Sequence, residues 1–306
     1  MRAVTYDTYA DDNSRLTVGE MPDPKVGPDQ VLIEVRAAGV NPVDWKLMTG
    51  GLDGVLDAVF PVIPGWDVAG VVRALGMDAP EFAVGDEVMA YARKDMLHAG
   101  TFAQYVAVNA THVARKPAAL DWARAGGLPL AGLTALRSLD RLAVGPDDVL
   151  LVHGASGGVG GFAVQIAVDR GARVIGTASP RNHDYVRALG ATPVAYGEGL
   201  TDRVRELAPE GVSAVADFAG GQLETTLAVL APKGRHASVV DGDVVEHGGH
   251  LVWVRPDGAA LTELAGLVER GAVTVEVERT FPLEQVGAAF DASRTGHARG
   301  KLVITP

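Results

Sequence analysis

The stretch Leu151–Ser179, LVHGASGGVGGFAVQIAVDRGARVIGTAS, decides the fold, because it joins a buried strand to a helix through a glycine-rich loop. At such a junction glycines permit a tight turn, let the backbone approach a pyrophosphate, and let helix and strand pack closely. The free N–H groups and partial positive charge of the helix N-terminus then favour phosphate. The alternative is a plain turn of an α/β domain, since the spacing Gly154-x-x-Gly157-x-x-Gly160 is not the strict G-x-G-x-x-G.

Strands and helices alternate around this loop, which favours the dinucleotide interpretation. Strands predicted at 149–154, 172–177 and 192–196 alternate with helices predicted over Val159–Arg170 and His183–Leu189, and the buried strands VSAVADF and GRHASVV follow. This alternation predicts parallel βαβ units in a doubly wound sheet of the Rossmann type. The residues predicted to bind the cofactor here are Gly154, Ala155, Ser156, Gly157, Gly158, Val159 and Gly160.

The end of the second strand distinguishes NAD from NADP. An NAD site usually has an acidic residue there, which holds the ribose 2′-OH. No acid follows this strand before Asp184, whereas Ser179 can donate to a 2′-phosphate and Arg181 can pair with it. The sequence therefore predicts NADPH as the cofactor. The alternative for Arg181 is an ordinary solvated charge.

The chain before about residue 117 has a different pattern of predicted secondary structure. Short strands such as VLIEVRAAGV, WDVAGVVRAL, DEVMAYA and FAQYVAV are separated by Gly and Pro turns, which is typical of a closed or sandwiched β unit. A helical stretch follows at Ala123–Leu142. From Pro256 the chain predicts a helix (Ala259–Arg270), a strand (Val273–Val277), a helix (Leu283–Ser293) and a last strand, KLVIT. We expect this tail to rejoin the first unit, so that residues 1–117 plus 256–306 form one domain and 118–255 the other.

Composition excludes several classes of function. The 306 residues are 47% hydrophobic and 21% charged, as in ordinary globular proteins with about two domains. There are no cysteines, which excludes disulfides, thiolate nucleophiles and cysteine-ligated zinc. The net charge of −11 disfavours nucleic acid as a partner. We found no signal-peptide core and no apolar run of membrane-spanning length, and we expect a cytoplasmic protein without a membrane partner.

An ordered set of motifs extends along essentially the whole chain. They are AAGVNPVDWK (37–46), PGWDVAGVV (64–72), VGDEV (84–88), GTFAQYVAV (100–108), LPLAGLTA (128–135), VLLVHGASGGVG (149–160), ALGA (188–191) and RGKLVI (299–304). Together they resemble the medium-chain dehydrogenase/reductase superfamily, and most of all its zinc-free, zeta-crystallin-like quinone oxidoreductase branch. The resemblance implies a GroES-like β-barrel domain, a Rossmann domain and a cleft between them. It also implies NADPH-dependent reduction of quinones or α,β-unsaturated carbonyls.

The same resemblance bears on zinc. In the zinc alcohol dehydrogenases of this superfamily a Cys stands where this chain has Asn41, and a His-Glu pair stands where it has Trp66 and Asp67. A catalytic zinc needs about three protein ligands, and none of the eight histidines forms a ligand cluster in the sequence. We therefore expect no metal, and hydride delivery to an acceptor that is already electron-poor.

Four residues are candidates for the reaction centre. Asn41 is expected to hydrogen-bond the substrate carbonyl or the nicotinamide ribose, and Lys46 to stabilise a developing enolate or hydroquinone oxygen. The alternative for Lys46 is an ion pair with Asp44 or a solvated charge. Relatives often place a Tyr near this segment, and Tyr91 is a weak substitute. Trp66 offers a flat wall for an aromatic acceptor, or else packs in the core.

The resemblance assigns further residues to the cofactor, namely Thr134 near the nicotinamide and Tyr196 near the 2′-phosphate. Residues at strand ends are expected to form the edge of the cofactor crevice, namely Phe218, Ala219, Gly220, Val239 and Val240. The C-terminal motif, Arg299, Gly300 and Lys301, is expected to close over the opening of the cofactor site.

Relatives are commonly homodimers, and we expect a dimer through an edge strand of the Rossmann sheet. Two other functions stay open at this point: an enoyl or tailoring reductase of a biosynthetic pathway, and a low-turnover NADPH-binding protein.

Overall fold

The computed structural model describes residues 1–306, and its elements are as follows. The strands are β1 (Arg2–Thr5), β2 (Thr17–Glu20), β3 (Gln30–Val40), β4 (Asp57–Ile63), β5 (Asp67–Leu75), β6 (Glu87–Tyr91), β7 (Met96–Ala99), β8 (Tyr105–Asn109), β9 (Val113–Arg115), β10 (Val149–His153), β11 (Arg173–Ala178), β12 (Thr192–Ala195), β13 (Val212–Asp217), β14 (Leu230–Ser238), β15 (His250–Leu251), β16 (Val277–Pro282) and β17 (Lys301–Thr305). The α-helices are α1 (Pro42–Met48), α2 (Trp122–Gly127), α3 (Pro129–Arg141), α4 (Gly158–Asp169), α5 (His183–Ala188), α6 (Leu200–Leu207), α7 (Leu223–Val229), α8 (Gly258–Glu269) and α9 (Val286–Arg294).

The chain folds into two compact units. The first comprises Met1–Leu130, Arg255–Arg270 and Val275–Pro306, and the second comprises Ala131–Val254 and Gly271–Thr274. The first unit thus extends beyond residue 117, the boundary predicted from the sequence. The reason is that α2 lies close against β3, since a Cβ built on Gly126 would stand only 2.8 Å from the Cβ of Ala37. No helix in either unit combines the length and apolar character that a membrane crossing needs.

The second unit is built on a six-stranded parallel sheet with the order β12-β11-β10-β13-β14-β15. On one face, Leu151, Ile175 and Val215 pack with Leu200 and Val204 of α6, together with Val229 of α7. Successive residues of a strand face opposite sides. Gly176 therefore faces the other side, where a Cβ would meet Val186 of α5 at 3.0 Å. Helices on both faces make this a doubly wound sheet.

The first unit is built on a mainly antiparallel sheet with the order β16-β17-β3-β5-β6-β9, in which β8 also pairs with β3. The first part of β3 alternates buried and partly buried residues, as a strand with one face on a core does. The last strand, β17, pairs antiparallel with the end of β3, with Leu302 opposite Val40. This pairing brings Lys301, the first residue of β17, beside the start of α1. The predicted combination of a β domain with a doubly wound parallel-sheet domain is confirmed.

Two predicted elements differ from the structure. The strand predicted over Val273–Val277 was wrong, and the strand in this region is β16. Thr274 instead hydrogen-bonds a side chain, because its backbone N–H donates to Gln165 Oε1 (2.8 Å) while Gln165 Nε2 donates to its carbonyl (3.1 Å). The helical stretch Ala123–Leu142 forms two helices, because Pro129 cannot donate a backbone hydrogen bond and begins α3. Helices α6 and α7 had not been predicted.

Candidate active site

The glycine-rich loop of the second unit runs from the end of β10 into α4. Gly154 has φ of +74°, a left-handed conformation that favours glycine. A Cβ on Gly160 would lie 2.1 Å from the carbonyl oxygen of Gly154, so only glycine fits where the helix passes the turn. Gly157 is the N-cap of α4 and has no side chain to cap the helix. The first N–H groups of α4 therefore lack a side-chain cap, which is the arrangement that binds phosphate.

Polar side chains hold this loop from two sides. The N–H of Gly154 donates to Thr177 Oγ1 (3.0 Å), and the N–H of Ala155 donates to the Thr177 carbonyl (3.0 Å). Asn182 Nδ2 donates to Ser156 Oγ at 3.2 Å. The loop is thus fixed to the end of β11 before any ligand arrives, which reduces the ordering that binding requires. Dinucleotide phosphates fit this loop.

The strand order of the parallel sheet reverses at β10, which has β11 on one side and β13 on the other. Ligands of such sheets bind outside the carboxyl ends of the strands at this reversal. There Asp217, at the end of β13, accepts hydrogen bonds from the N–H groups of Ala219 (2.9 Å) and Gly220 (3.0 Å) and from Ser238 Oγ (3.0 Å). These bonds shape the edge formed by Phe218–Gly220. Beside it, burial lowers the pKa of His153 to about 4, partly opposed by the charge of Asp217, so the imidazole is neutral at pH 7.

The end of β11 carries no acidic residue. Ser179 is partly exposed and begins a short 3-10 turn, and Arg181 is exposed in that turn. The first acid, Asp184, lies on α5 and pairs with Arg187 at 2.5 Å. Tyr196, just after β12, is 54% exposed. The surface beyond β11 therefore offers a hydroxyl and a cation, without the carboxylate that would bind a ribose 2′-OH.

In the first unit, Asn41 lies at the centre of a buried polar network. Its Nδ2 donates to Asp67 Oδ2 (2.8 Å), and its Oδ1 accepts from Lys301 Nζ (2.5 Å). Lys301 Nζ also donates to the carbonyl of Val40 (3.0 Å), and Asp67 Oδ1 accepts from the N–H of Leu130 (2.7 Å). Because an ammonium only donates and a carboxylate only accepts, the orientation of the Asn41 amide is fixed. Asn41 is 2% exposed, and protein groups occupy both ends of its amide.

Burial governs the charges of this network. It raises the pKa of Asp67 to about 6, opposed by the charge of Lys301 and by the hydrogen bonds from Asn41 and Leu130. Burial also lowers the pKa of Lys301, opposed by the charge of Asp67. The two charged atoms, Lys301 Nζ and Asp67 Oδ2, are 3.9 Å apart. With a pKa of about 6, Asp67 is mostly ionised at pH 7, and in this buried region the charge of each partner favours the ionised form of the other.

Asp44 is the second buried carboxyl of the network. Its Oδ2 accepts from the backbone N–H of Asn41 (2.8 Å), as the third helical residue of a capping box does. Its Oδ1 is buried without a hydrogen-bond partner. Burial raises the pKa of Asp44 to about 8, so this carboxyl is largely protonated at pH 7.

The other three candidates for the reaction centre lie in different surroundings. Trp66 and Tyr91 are 5% and 1% exposed, and their ring centroids are 6.0 Å apart. Trp66 also lines a small recess of the first unit. Lys46 is exposed on α1, with Nζ 5.6 Å from the ring centroid of Trp45, and it forms no ion pair with the buried Asp44.

The remaining predicted residues are distributed over both units. In the second unit Thr134 is buried on α3, where its carbonyl accepts from Ser138 Oγ (2.7 Å), while Val239 is partly exposed and Val240 is 51% exposed after β14. In the first unit Arg299 pairs with Glu276 (2.8 Å), and Gly300 has φ of +71°. Thus the structure brings Lys301 to Asn41, whereas Arg299 lies at an exposed ion pair.

Three polar residues of the first unit were not predicted as site residues from the sequence. Asp44 and Asp67 interrupt apolar stretches, and a buried carboxyl is rare enough that each was a usable signal. Lys94, which lines the recess beside Trp66, has no such signal in the sequence. No group of three or more His, Cys, Asp or Glu side chains is arranged to hold a metal ion.

Comparison with known proteins gives consistent results. Residues 27–118 match the alcohol dehydrogenase GroES-like domain, and residues 189–304 match a family described as zinc-binding dehydrogenase. The chain is 34% identical to the chloroplastic NADPH-dependent alkenal/one oxidoreductase of Arabidopsis thaliana, over all of this chain and 80% of that protein. It superposes on the quinone oxidoreductase of Coxiella burnetii with a TM-score of 0.89 at 32% identity, covering 100% of this chain and 99% of the other. A mycobacterial structure in complex with NADPH gives a TM-score of 0.86 at 27% identity, covering all of both chains.

Proposed function

This chain belongs to the quinone oxidoreductase branch of the medium-chain dehydrogenase/reductase superfamily, and from that premise we propose that it uses NADPH to reduce quinones or α,β-unsaturated carbonyls without a metal. The relatives indicate that the protein is an oxidoreductase with a nicotinamide cofactor. The observation that carries the proposal is the fixed glycine loop at the sheet reversal, with a hydroxyl and a cation in place of an acid at the end of β11.

In this proposal the second unit binds and orients the cofactor. The N–H groups at the start of α4 receive the pyrophosphate, and Ser179 and Arg181 receive the 2′-phosphate. The crevice edge formed by Phe218–Gly220 is held in place by Asp217. When bound, the reduced nicotinamide supplies the hydride. The chain's own contribution is then positioning and exclusion of water.

Independence from zinc is supported by the donor groups of the first unit. There is no cysteine in the chain, and Asn41 and Trp66 stand where the zinc enzymes have ligands. The one carboxylate at these positions, Asp67, already accepts from Asn41 and Leu130 and faces Lys301. A site with about three free ligands and an open position is not supported by these residues.

The reaction centre is proposed to lie at the Asn41 segment and the recess beside Trp66. Asn41 Nδ2 donates to Asp67 Oδ2 (2.8 Å) and to the carbonyl of Gly39 (3.5 Å), so a direct bond from this NH2 group to an acceptor would replace one of these two bonds. Lys46 is exposed and can neutralise charge on an acceptor oxygen. Trp66 lines the recess, and an aromatic residue there suits a planar acceptor. The ring of Tyr91 packs against that of Trp66.

The first test is a fluorescence titration of NADPH and NADH against the wild type, Arg181→Ala and the control Arg187→Ala. Arg187 is exposed on α5 nearby and pairs with Asp184, so its loss removes a similar surface charge. We expect the wild type to prefer NADPH, and Arg181→Ala to lose about tenfold to a hundredfold in NADPH affinity with NADH unchanged. Equal affinity for both nucleotides, or no binding of either, would sink the proposal.

The second test is turnover with a panel of quinones and enones. NADPH oxidation above background with members of either class is the expected result. Tight NADPH binding without acceptor-dependent oxidation would instead favour a low-turnover binding protein. Activity confined to one conjugated thioester or pathway intermediate would favour an enoyl or tailoring reductase.

A homodimer is also part of this proposal, formed through the edge strand β15. This strand pairs only with β14, so its outer edge has no neighbour in the sheet. Apolar side chains are exposed around it, among them Val245 (58%), Leu251 (50%) and Trp253 (47%). An exposed, apolar sheet edge favours pairing with a second copy of the chain.

The proposed location of the protein is the cytoplasm, which fractionation of cells tests directly.

A further inference from the structure

The recess beside Trp66 lies entirely within the first unit. Its wall is formed by Trp66 and by mainly apolar side chains, among them Leu47 and Met96. Its polar members include Lys94, His98 and the phenol of Tyr6. The ring of Trp66 packs against that of Tyr91, with centroids 6.0 Å apart. A flat ring with aliphatic neighbours forms a surface that suits a planar conjugated molecule.

Lys94 is the unusual member of this wall. It lies in the loop between β6 and β7, and it is partly exposed. It makes no hydrogen bond or ion pair with another protein group. Its chain neighbour Asp95 is 91% exposed and pairs with Arg93 at 3.4 Å. The other cationic candidate in the recess, His98, has its Nδ1 2.8 Å from the carbonyl of Val59. The Lys94 ammonium thus has no counter-charge.

Lys94 is partly exposed, so its ammonium is accessible to a molecule that enters the recess. A cation that loses part of its hydration gains from a nearby counter-charge. Burial accordingly lowers the pKa of Lys94. Since no protein group compensates the ammonium, an anionic group on a bound molecule is the chemistry that would do so.

We propose that Lys94 is a specificity-determining residue, which selects acceptors whose planar conjugated system carries an anionic group such as a carboxylate or sulfonate. The planar part lies against Trp66 and the anionic group meets Lys94. The inference rests on the proposed reductase function, because the molecule that Lys94 would select is the acceptor of that reaction. It goes further, because it names the class of acceptor that the recess takes. Lys46, exposed on α1, plays no part in this selection.

The test compares two acceptors that differ in charge, 1,4-naphthoquinone and 1,4-naphthoquinone-2-sulfonate, with NADPH as reductant. The variants are Lys94→Met, which keeps the length of the side chain without its charge, and the control Lys25→Met, an exposed lysine of the same unit. The quantity compared is the ratio of kcat/KM for the anionic acceptor to that for the neutral one. Comparing this ratio between variants removes the intrinsic difference in reactivity of the two quinones.

We expect Lys94→Met to lower the ratio about tenfold or more, with the neutral quinone changed less than about twofold. The ratio in Lys25→Met should equal that of the wild type. An unchanged ratio in Lys94→Met overturns the inference. An equal loss with both quinones also overturns it, since Lys94 would then act on the reaction itself and not on the anionic group. Thermal unfolding should show Lys94→Met to be at least as stable as the wild type, because the substitution removes a partly desolvated charge that no protein group compensates.

A binding measurement separates this inference from the proposed function. Naphthalene-2-sulfonate is titrated into each variant by calorimetry without nucleotide. If neither quinone is reduced but the sulfonate binds about tenfold more weakly to Lys94→Met than to Lys25→Met, the reductase proposal fails and the anion site stands. If the quinones are reduced and neither the ratio nor sulfonate binding depends on Lys94, the inference fails and the function stands.

Discussion

Asn41 Oδ1 accepts a hydrogen bond from Lys301 Nζ over 2.5 Å, although 260 residues separate the two in the chain. The contact exists because β17 pairs with the end of β3, so that Lys301 arrives beside the first turn of α1. Lys301 thereby provides the counter-charge of Asp67 and fixes the Asn41 amide at once. Removing the Lys301 cation should therefore change the free energy of unfolding through its effect on both Asp67 and Asn41.

Lys301→Met is expected to lower the free energy of unfolding by about 3–5 kcal/mol, because it leaves Asp67 as an uncompensated buried charge. Adding Asp67→Asn should recover part of this loss, so that the double variant is more stable than Lys301→Met alone. Urea unfolding near neutral pH measures both quantities. The exposed Lys46→Met serves as control and should change stability by less than about 0.5 kcal/mol. Strict additivity of the two buried substitutions would contradict the coupling.

Asp44 predicts a dependence of stability on pH. Its pKa rises from 3.8 in the unfolded chain to about 8 in the folded one, so between these values the native state binds the extra proton. The free energy of unfolding should therefore fall as pH rises, by up to about 1.4 kcal/mol per pH unit from this group, and level off above about pH 8. Asp67, with a pKa of about 6, adds to the slope only at lower pH.

Asp44→Asn tests this dependence, because asparagine has a similar shape and cannot ionise. Urea unfolding is measured from about pH 5 to about pH 9. The free energy of unfolding of the variant minus that of the wild type should increase with pH up to about pH 8 and then stay constant. The Asn side-chain oxygen can still accept from the N–H of Asn41, which keeps the start of α1 capped. A constant difference in stability across this range would show that Asp44 is ionised throughout.

The glycine loop predicts a sharp contrast between two glycine-to-alanine variants. In Gly160→Ala the new Cβ would lie 2.1 Å from Gly154 O and 2.7 Å from Gly154 C, which are backbone atoms. We expect a loss of about 1–3 kcal/mol in stability and weaker NADPH binding. Gly266 on α8 has no atom within 4 Å of its added Cβ. Gly266→Ala should therefore stabilise the protein by about 0.5–1 kcal/mol, with NADPH affinity unchanged. Thermal melts and NADPH titrations compare the two, and equal behaviour would refute the close approach.

The proposed dimer predicts that a charge on the sheet edge separates the subunits. Leu251→Lys places a cation on β15, where half of the Leu251 side chain is exposed, and pairing would have to bury it. Light scattering should give twice the 31.8 kDa chain mass for the wild type and a single chain for the variant. Met77→Lys, at a 93% exposed position of the first unit, should leave the mass unchanged. A monomeric wild type would refute the dimer.

Much of the second unit followed from local patterns. The glycine spacing, the apolar run of β10 and the absence of an acid after β11 are neighbours in the chain, so their physical consequences could be derived without the fold. Helix–strand alternation likewise predicted a parallel sheet. A prediction from a local pattern was wrong where a tertiary contact determined the backbone conformation. Thr274 lies in an apolar stretch typical of a strand, yet its backbone bonds the side chain of Gln165, 109 residues away.

The sequence by itself determined the two kinds of domain, the glycine-rich loop between β10 and α4, and the family, because these depend on residue order and spacing within short segments. Only the tertiary structure decided which charges meet. The sequence predicted Lys301 as a cofactor residue without indicating its neighbours, and strand pairing places it against Asn41 and Asp67. Asp44 was expected only as a partner for Lys46, but it is buried and its pKa is raised to about 8. Burial and the pairing of distant charges are properties of packing, and packing brings together residues that the chain keeps apart.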